Sequence, residues 1–256
     1  MAGLKLNLKE CLLIKAAGIK WQQLKGVSSS GIAFEWIPPL EFVVNATSGD
    51  SSVSFIVFSG GDNFKIDWGD GSAEEGNTIF TRSHTYAAVG DYKVKVTSKG
   101  SFFFVTTSSF SPNDNVSSIT NIDAKNMTKF PSLRSDSLTS VPEFLPKSIT
   151  SLESSFRDCA VFNQDISSWD VSSVTIMSSM FNWSSSFNQD LSSWDISNVT
   201  VMDTMFNNSG MSTENYSRTL IGWANSYFAG NAQENVILGA NTITYNNTAY
   251  TTGNQF

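Results

Sequence analysis

Apolar positions in the second half of the chain recur at a fixed interval. SITSLESSF (148–156), SVTIMSSMF (173–181) and NVTVMDTMF (198–206) align without gaps, and FNQDISSWDV (162–171) and FNQDLSSWDI (187–196) lie between them as near-copies. Phe162 to Phe187, Trp169 to Trp194 and Met180 to Met205 are each 25 residues apart. Such a period predicts a solenoid, because one unit cannot bury its apolar face alone but can bury it against the next. Within a unit, Trp169 and Val171 alternate around Asp170, which predicts a short strand with Asp170 facing away from the core. Val174, Met177, Met180 and Phe181 then recur as one face of a short helix. Each unit is therefore expected to be strand, turn and helical segment, with Trp, Val, Met and Phe in a shared core.

The pattern differs on either side. Residues 40–107 hold short alternating runs separated by turn residues, the spacing of a β-sandwich. Between 108 and 147 the pattern is irregular, with Ser118–Ile122 and Leu138–Pro142 reading as eroded first coils. After Phe206, residues 211–228 place Tyr216, Leu220, Trp223, Ala224 and Tyr227 on one helical face behind Ser212 or Thr213 as N-cap. Residues 235–250 alternate as a hairpin turning at Gly239–Asn241, which would close the open end of the stack. The domain reading is an N-terminal arm and linker (1–30), a β-sandwich (31–107), repeats (108–210, clearest at 148–206) and a C-terminal cap (211–256).

Two resemblances rest on these residues. Ile166-x-x-Trp169-x-Val171 and Leu191-x-x-Trp194-x-Ile196 carry leucine-rich-repeat spacing, and FNQDLSSWDISNVTVMDTMF (187–206) resembles the BspA-type leucine-rich repeat of bacterial surface proteins and mycoplasma lipoproteins. Leu220–Ala224 is similar to the terminal segment of the same family. Trp68-Gly-Asp-Gly-Ser72, His84-Thr-Tyr86 and Gly90–Val96 resemble a polycystic-kidney-disease (PKD) type immunoglobulin-like domain. Together they imply a mainly β protein with short helices: an immunoglobulin-like sandwich, then a leucine-rich-repeat-type solenoid with a C-terminal cap. They imply extracellular binding or adhesion and no catalytic residues.

Charge divides the chain. Residues 1–26 carry five lysines and one glutamate, whereas from Asp158 onward eight acids face one base, Arg218. An acidic body argues against nucleic acid, which needs clustered Lys and Arg. The arm has no apolar run beyond Cys11–Ile14, too short for an export signal or a membrane span. Surface-type modules without an export signal suggest a particle assembled in the host cytoplasm, a bacteriophage virion component such as a fibre, tail or capsid decoration. A bacterial cell-surface adhesin is the alternative, and a glycan-active scaffold a further one. The arm, with Lys5, Lys9, Lys15, Lys20, Trp21 and Lys25, would dock to other virion or surface proteins.

Candidate chemistry is sparse. His84 is the one histidine, Cys11 and Cys159 lie far apart, and Asp67–Asp70 lacks the EF-hand pattern, so neither a catalytic centre, a metal nor a cofactor is expected. Asp165/Asp190 and Asp170/Asp195 stand in equal positions of successive units, a spacing that repeat geometry produces unaided. Asn163/Asn188 and Gln164/Gln189 read as amide ladders that satisfy turn backbone. What remains is a polar face of Ser168, Asp170, Ser193 and Asp195, expected to bind a host-surface glycan or protein in a multicopy assembly.

Overall fold

The computed structural model describes residues 26–27, 33–34, 40–47, 51–59, 64–76, 80–98, 102–106, 116–122, 127–132, 134–228, 236–241 and 243. The chain forms two compact units that divide between Ile37 and Pro38. In the first, β1 (Gly26–Val27) pairs antiparallel with β2 (Ala33–Phe34), so part of the segment expected to be a flexible linker is a small ribbon.

The second unit begins with antiparallel sheets. One has the order β10-β3-β8-β5-β6, built from β3 (Leu40–Ala46), β5 (Phe64–Asp67), β6 (Ala73–Gly76), β8 (Gly90–Ser98) and β10 (Val116–Asn121). The other has the order β7-β4-β9, from β4 (Ser51–Ser59), β7 (Phe80–Tyr86) and β9 (Phe102–Thr106). Alternation decides the inner face: Leu40, Phe42, Val44 and Ala46 of β3 are buried, as are Val94 and Val96 of β8. Tyr86 of β7 is fully buried against them, its ring 4.2 Å from that of Tyr92 and its hydroxyl donating to Trp68 O at 3.1 Å.

Beyond β10 the chain winds through successive turns that pair in parallel. Ser118 bridges Ser140, Lys129 bridges Ser151, Ser151 bridges Ile176, and Ile176 bridges Val201. Alternate N–H groups of one turn donate to carbonyls of the next: Leu152, Ser154, Phe156 and Asp158 to Ile176, Ser178, Met180 and Asn182 at 2.8–3.0 Å. One unit on, Met177, Ser179, Phe181 and Trp183 donate to Val201, Asp203, Met205 and Asn207 at 2.7–2.9 Å. On the opposite sense, Thr150, Thr175 and Thr200 each send both N–H and hydroxyl back to the carbonyl of Thr128, Thr150 and Thr175.

The expected repeat helices are absent from these described residues. Val174, Met177, Met180 and Phe181 are buried as the pattern requires, but the backbone is a run of overlapping turns closed by Met180 N–H to Met177 O and Asn182 N–H to Ser179 O. Ser154, Asp158, Ser179, Trp183, Thr204 and Asn208 have φ of 55–62°, outside helical space. A turn returns its side chains to one side after three residues, as a helix does, so the spacing alone cannot separate them. The N–H groups that a helix would use internally are instead given to the next turn. The Trp169–Val171 strand is likewise displaced, and the parallel bridges fall at Ser151, Ile176 and Val201. Burial still alternates there, with Trp169 and Val171 inside and Asp170 outside.

Aromatic columns fill the interior. Ring centroids of Phe130, Phe156, Phe181 and Phe206 follow one another at 5.5, 5.5 and 5.7 Å, and Phe162 stacks on Phe187 at 6.1 Å. Each buried indole N–H reaches back one unit: Trp169 to Pro142 O, Trp194 to Ile166 O and Trp223 to Leu191 O, at 2.9–3.1 Å. Trp223 belongs to α1 (Thr213–Phe228), capped by Ser212, whose hydroxyl accepts the Asn215 N–H. The helix thus continues the tryptophan column on the last turn. Beside it, Leu238 bridges Met202 in parallel and Phe206 N–H donates to Gly239 O. A Cβ on Gly239 would lie 2.0 Å from Thr204 N, so only glycine allows this approach. Of the expected 235–250 hairpin, only 236–241 and 243 are among the described residues, and Leu238 and Gly239 there pair with the stack.

Trp194→Ala removes a buried ring and one of the two hydrogen bonds to Ile166 O, the other coming from the Trp169 N–H, and is expected to cost about 3–5 kcal/mol in urea unfolding. Asp195→Asn, which keeps an acceptor for the Ser197 N–H, should lie within about 0.5 kcal/mol of wild type. Comparable losses in the two variants would contradict the inside-outside assignment.

Candidate functional site

The polar face predicted from the repeats is exposed, with Ser168, Asp170, Ser193 and Asp195 all at the surface. Ser168 donates its hydroxyl to Glu143 O at 3.4 Å, and Ser193 donates to Ser167 O at 3.0 Å. Asp170 Oδ1 accepts the Ser172 N–H and hydroxyl, and Asp195 Oδ1 accepts the Ser197 N–H at 3.0 Å. The Ser172 hydrogen bonds, with Lys147 Nζ 3.3 Å from Oδ2, hold the Asp170 carboxyl below its ordinary pKa. The face therefore has spare acceptor lone pairs and few spare donors, and suits a ligand that donates hydroxyl hydrogens.

Asp165 and Asp190 do the same turn work, accepting the Ser167 and Ser192 N–H groups at 2.9 Å. The amide ladder stands as expected and runs on into the cap. Asn163 Oδ1 accepts the Asn188 N–H, Asn188 Oδ1 accepts the Ser212 N–H, and Gln164 pairs with both the N–H and O of Val141. Cys159 is fully buried, and that burial pushes its thiol up to about 12, far from nucleophilic.

In the sheets, the Asp67–Ser72 turn is built around Asp70. Its Oδ1 accepts the Ser72 N–H at 2.9 Å and hydroxyl at 2.5 Å, and its Oδ2 meets His84 Nε2 at 2.7 Å. His84 lies between Trp68, stacked at 4.9 Å, and Tyr86, edge-on at 4.7 Å. Gly69 has φ of 84°, and a Cβ there would strike Lys93 O at 2.7 Å. Chiefly through the Ser72 hydroxyl, the Asp70 carboxyl is lowered from 3.8 to about 2.

A second surface feature was not singled out by sequence reasoning. In the segments FRDC (156–159), FNWS (181–184) and FNNS (206–209) the third residue is Asp158, Trp183 or Asn208. The backbone places these in register, since Asp158 N–H donates to Asn182 O and Trp183 N–H to Asn207 O. Arg134, with φ of 48°, precedes them and pairs with Asp158 through its guanidinium. Trp183 is 58% exposed, while Trp68, Trp169, Trp194 and Trp223 are buried. Left-handed backbone costs a side-chain-bearing residue about 1–2 kcal/mol, least for Asn and Asp. In the neighbouring sequence positions, Ser155 Oγ, Asn182 Oδ1 and Ser209 Oγ are buried without a hydrogen-bond partner, while Arg157 Nε lies 3.5 Å from Asp158 Oδ2. Aligning the units would have exposed the substitution of Trp183 into a polar column.

The arm residues Lys5, Lys9, Lys15, Lys20, Trp21 and Lys25 lie outside the described residues. No described helix is long and apolar enough to cross a membrane. A family described as "Mycoplasma protein of unknown function, DUF285" matches residues 125–235, which spans the parallel turns and α1. No curated protein and no solved structure matches the chain.

Because the folded pKa of Asp70 lies below its unfolded value, the stabilisation is complete above pH ~4 and is lost as pH falls toward 2. Asp70→Asn should lower the melting temperature at pH 7 and flatten its dependence between those limits. An Asp70→Asn profile parallel to wild type in differential scanning calorimetry would refute this role.

Proposed function

We propose that this chain is a non-enzymatic attachment protein displayed in many copies on a surface. Its two-sheet region is read as a PKD-type immunoglobulin-like domain, on the strength of the Trp68–Ser72 turn closed by Asp70, His84 and Tyr86. The parallel turns are read as a BspA-type leucine-rich-repeat solenoid, supported by the Ser151–Ile176 and Ile176–Val201 bridges at the 25-residue register and by the DUF285 match. The observation that carries the functional reading is that Asp165, Asp170, Asp190 and Asp195 serve the turns of the stack, while a polar, acceptor-rich face repeats at the surface. Such a face makes weak contacts, each about 1 kcal/mol net, that add up only across many copies.

The preferred setting is a bacteriophage virion, as fibre, tail or capsid decoration, with the basic arm held by an acidic neighbour. The opposed charges of arm and body support that division of labour. The second reading, a bacterial cell-surface adhesin, draws on the match to a family of mycoplasma proteins.

Deleting residues 1–25 spares the Gly26–Phe34 ribbon and should leave a folded chain that no longer joins its parent particle or cell surface, measured by co-sedimentation. Normal incorporation of the truncated chain would defeat the anchoring role. For the face, Ser168→Ala/Asp170→Asn/Ser193→Ala/Asp195→Asn should weaken binding of a clustered array to host cells at least tenfold in flow cytometry with folding intact. Unchanged binding would move recognition elsewhere on the protein.

A further inference from the structure

We infer that the corner around Trp183 is a carbohydrate-stacking site, with Asp158 and Asn208 of the adjoining turns hydrogen-bonding the ring hydroxyls. This rests on the attachment reading above and places the contact on a different column of the stack. Three buried tryptophans of the stack show what a structural indole does there: each is covered and gives its N–H to a carbonyl of the preceding unit. Trp183 does neither. It stands in left-handed backbone with φ of 62°, where the adjoining units carry Asp158 at 57° and Asn208 at 56°. A large aromatic at this place is 58% exposed, so most of its surface gains no burial, and it fits the backbone worse than its polar counterparts.

The surroundings fit a sugar. A pyranose ring offers an apolar C–H face and a rim of hydroxyls, and an exposed indole offers an electron-rich apolar plane. On one side, Asp158 is held through Oδ2 by Arg134 Nε at 2.8 Å, so carboxylate and guanidinium stand together as acceptor and donor. On the other stands the half-buried Asn208, whose amide can do both. Among the described residues of these turns, the exposed large apolar side chains are Trp183 and Val161, the latter three residues beyond Asp158 in sequence. A stable protein interface needs roughly 800 Å² per partner with an apolar centre, far more than an indole and a valine supply. Arg157 Nε stands 3.5 Å from the same Asp158 Oδ2, so two guanidinium groups flank the carboxylate beside the indole.

Trp183→Asn makes the test independent of folding, since asparagine suits left-handed backbone and its melting temperature should equal or exceed wild type. The full chain, clustered as a tetramer, is applied to a printed array of β-glucan, chitin and mannan oligosaccharides and peptidoglycan fragments. Wild type should bind at least one class, Trp183→Asn should lose at least tenfold of that signal, and the bound sugar should shield tryptophan fluorescence from iodide. Trp183→Asn that binds like wild type overturns the site. So does a silent array when clustered wild type adheres to cells, which would assign the corner to another ligand class. Loss of cell binding in the Ser168/Asp170/Ser193/Asp195 variant, with Trp183→Asn still binding, would overturn this inference and leave the attachment reading standing. Absence of wild-type binding to both cells and array would overturn the two together.

Discussion

Each turn of the stack depends on its neighbour for backbone hydrogen bonds. The N–H groups of Leu152, Ser154, Phe156 and Asp158 have their partners one unit ahead, and those of Met177, Ser179, Phe181 and Trp183 one unit further. A buried amide without a partner costs about 1–3 kcal/mol, so an isolated turn could not persist. The constraint explains the fixed interval: one inserted residue would put Phe181 out of column with Phe156 and Phe206 and strand a row of donors together. It also explains why both ends need dedicated structure. At the far end, α1 supplies Trp223, while Leu238 and Gly239 complete the backbone row on Met202 and Phe206.

At the near end the same requirement is met by β10. Val116–Asn121 pairs antiparallel with β3 on one side, with Val116 opposite Val44 and Ile119 opposite Phe42. On the other side Ile119 N–H donates to Ser140 O, Thr139 sends N–H and hydroxyl to Ser117 O, and Ser135 Oγ donates to Val116 O. One strand is thus the edge of a sheet and the first rung of the stack, and the buried side chains of the two form one core. A sheet edge left open invites pairing with other chains, and here that edge seeds the repeats. A pull on the stack is carried into β3 through a ladder of hydrogen bonds instead of through a hinge.

Much of this was legible in the sequence, and the missing repeat helices have a physical cause. Side-chain burial follows apolar spacing, so Val174, Met177, Met180, Phe181, Trp169 and Trp194 were placed in the core correctly. Backbone state does not follow from that spacing, because turns and helices share the three-residue return. Ser154, Ser179 and Thr204 occupy left-handed space without being glycine, and nothing in their identity signals it. The aspartates were readable. Asp70, Asp165, Asp170, Asp190 and Asp195 are each followed two residues on by serine, and each accepts that serine's N–H. The Asp-x-Ser turn explains these carboxylates without a ligand. The carboxylates of the polar face are consequently accounted for by turn chemistry.

One residue type occupies two opposed settings in the stack. Trp169, Trp194 and Trp223 form a column in which each indole is covered by protein and gives up its only donor inside the stack. Such a ring contributes to stability through burial and can offer nothing to a ligand. Trp183 lies in the same stack, yet its ring faces outward and its backbone is the kind that Asn208 and Asp158 adopt at lower cost. Stability alone would favour the polar residue at that position. A solenoid repeats its scaffold residues by necessity, since each unit must dock on the next. A residue that breaks a column without improving its packing is therefore where recognition can be written into the repeat without disturbing the hydrogen-bonded rows beneath.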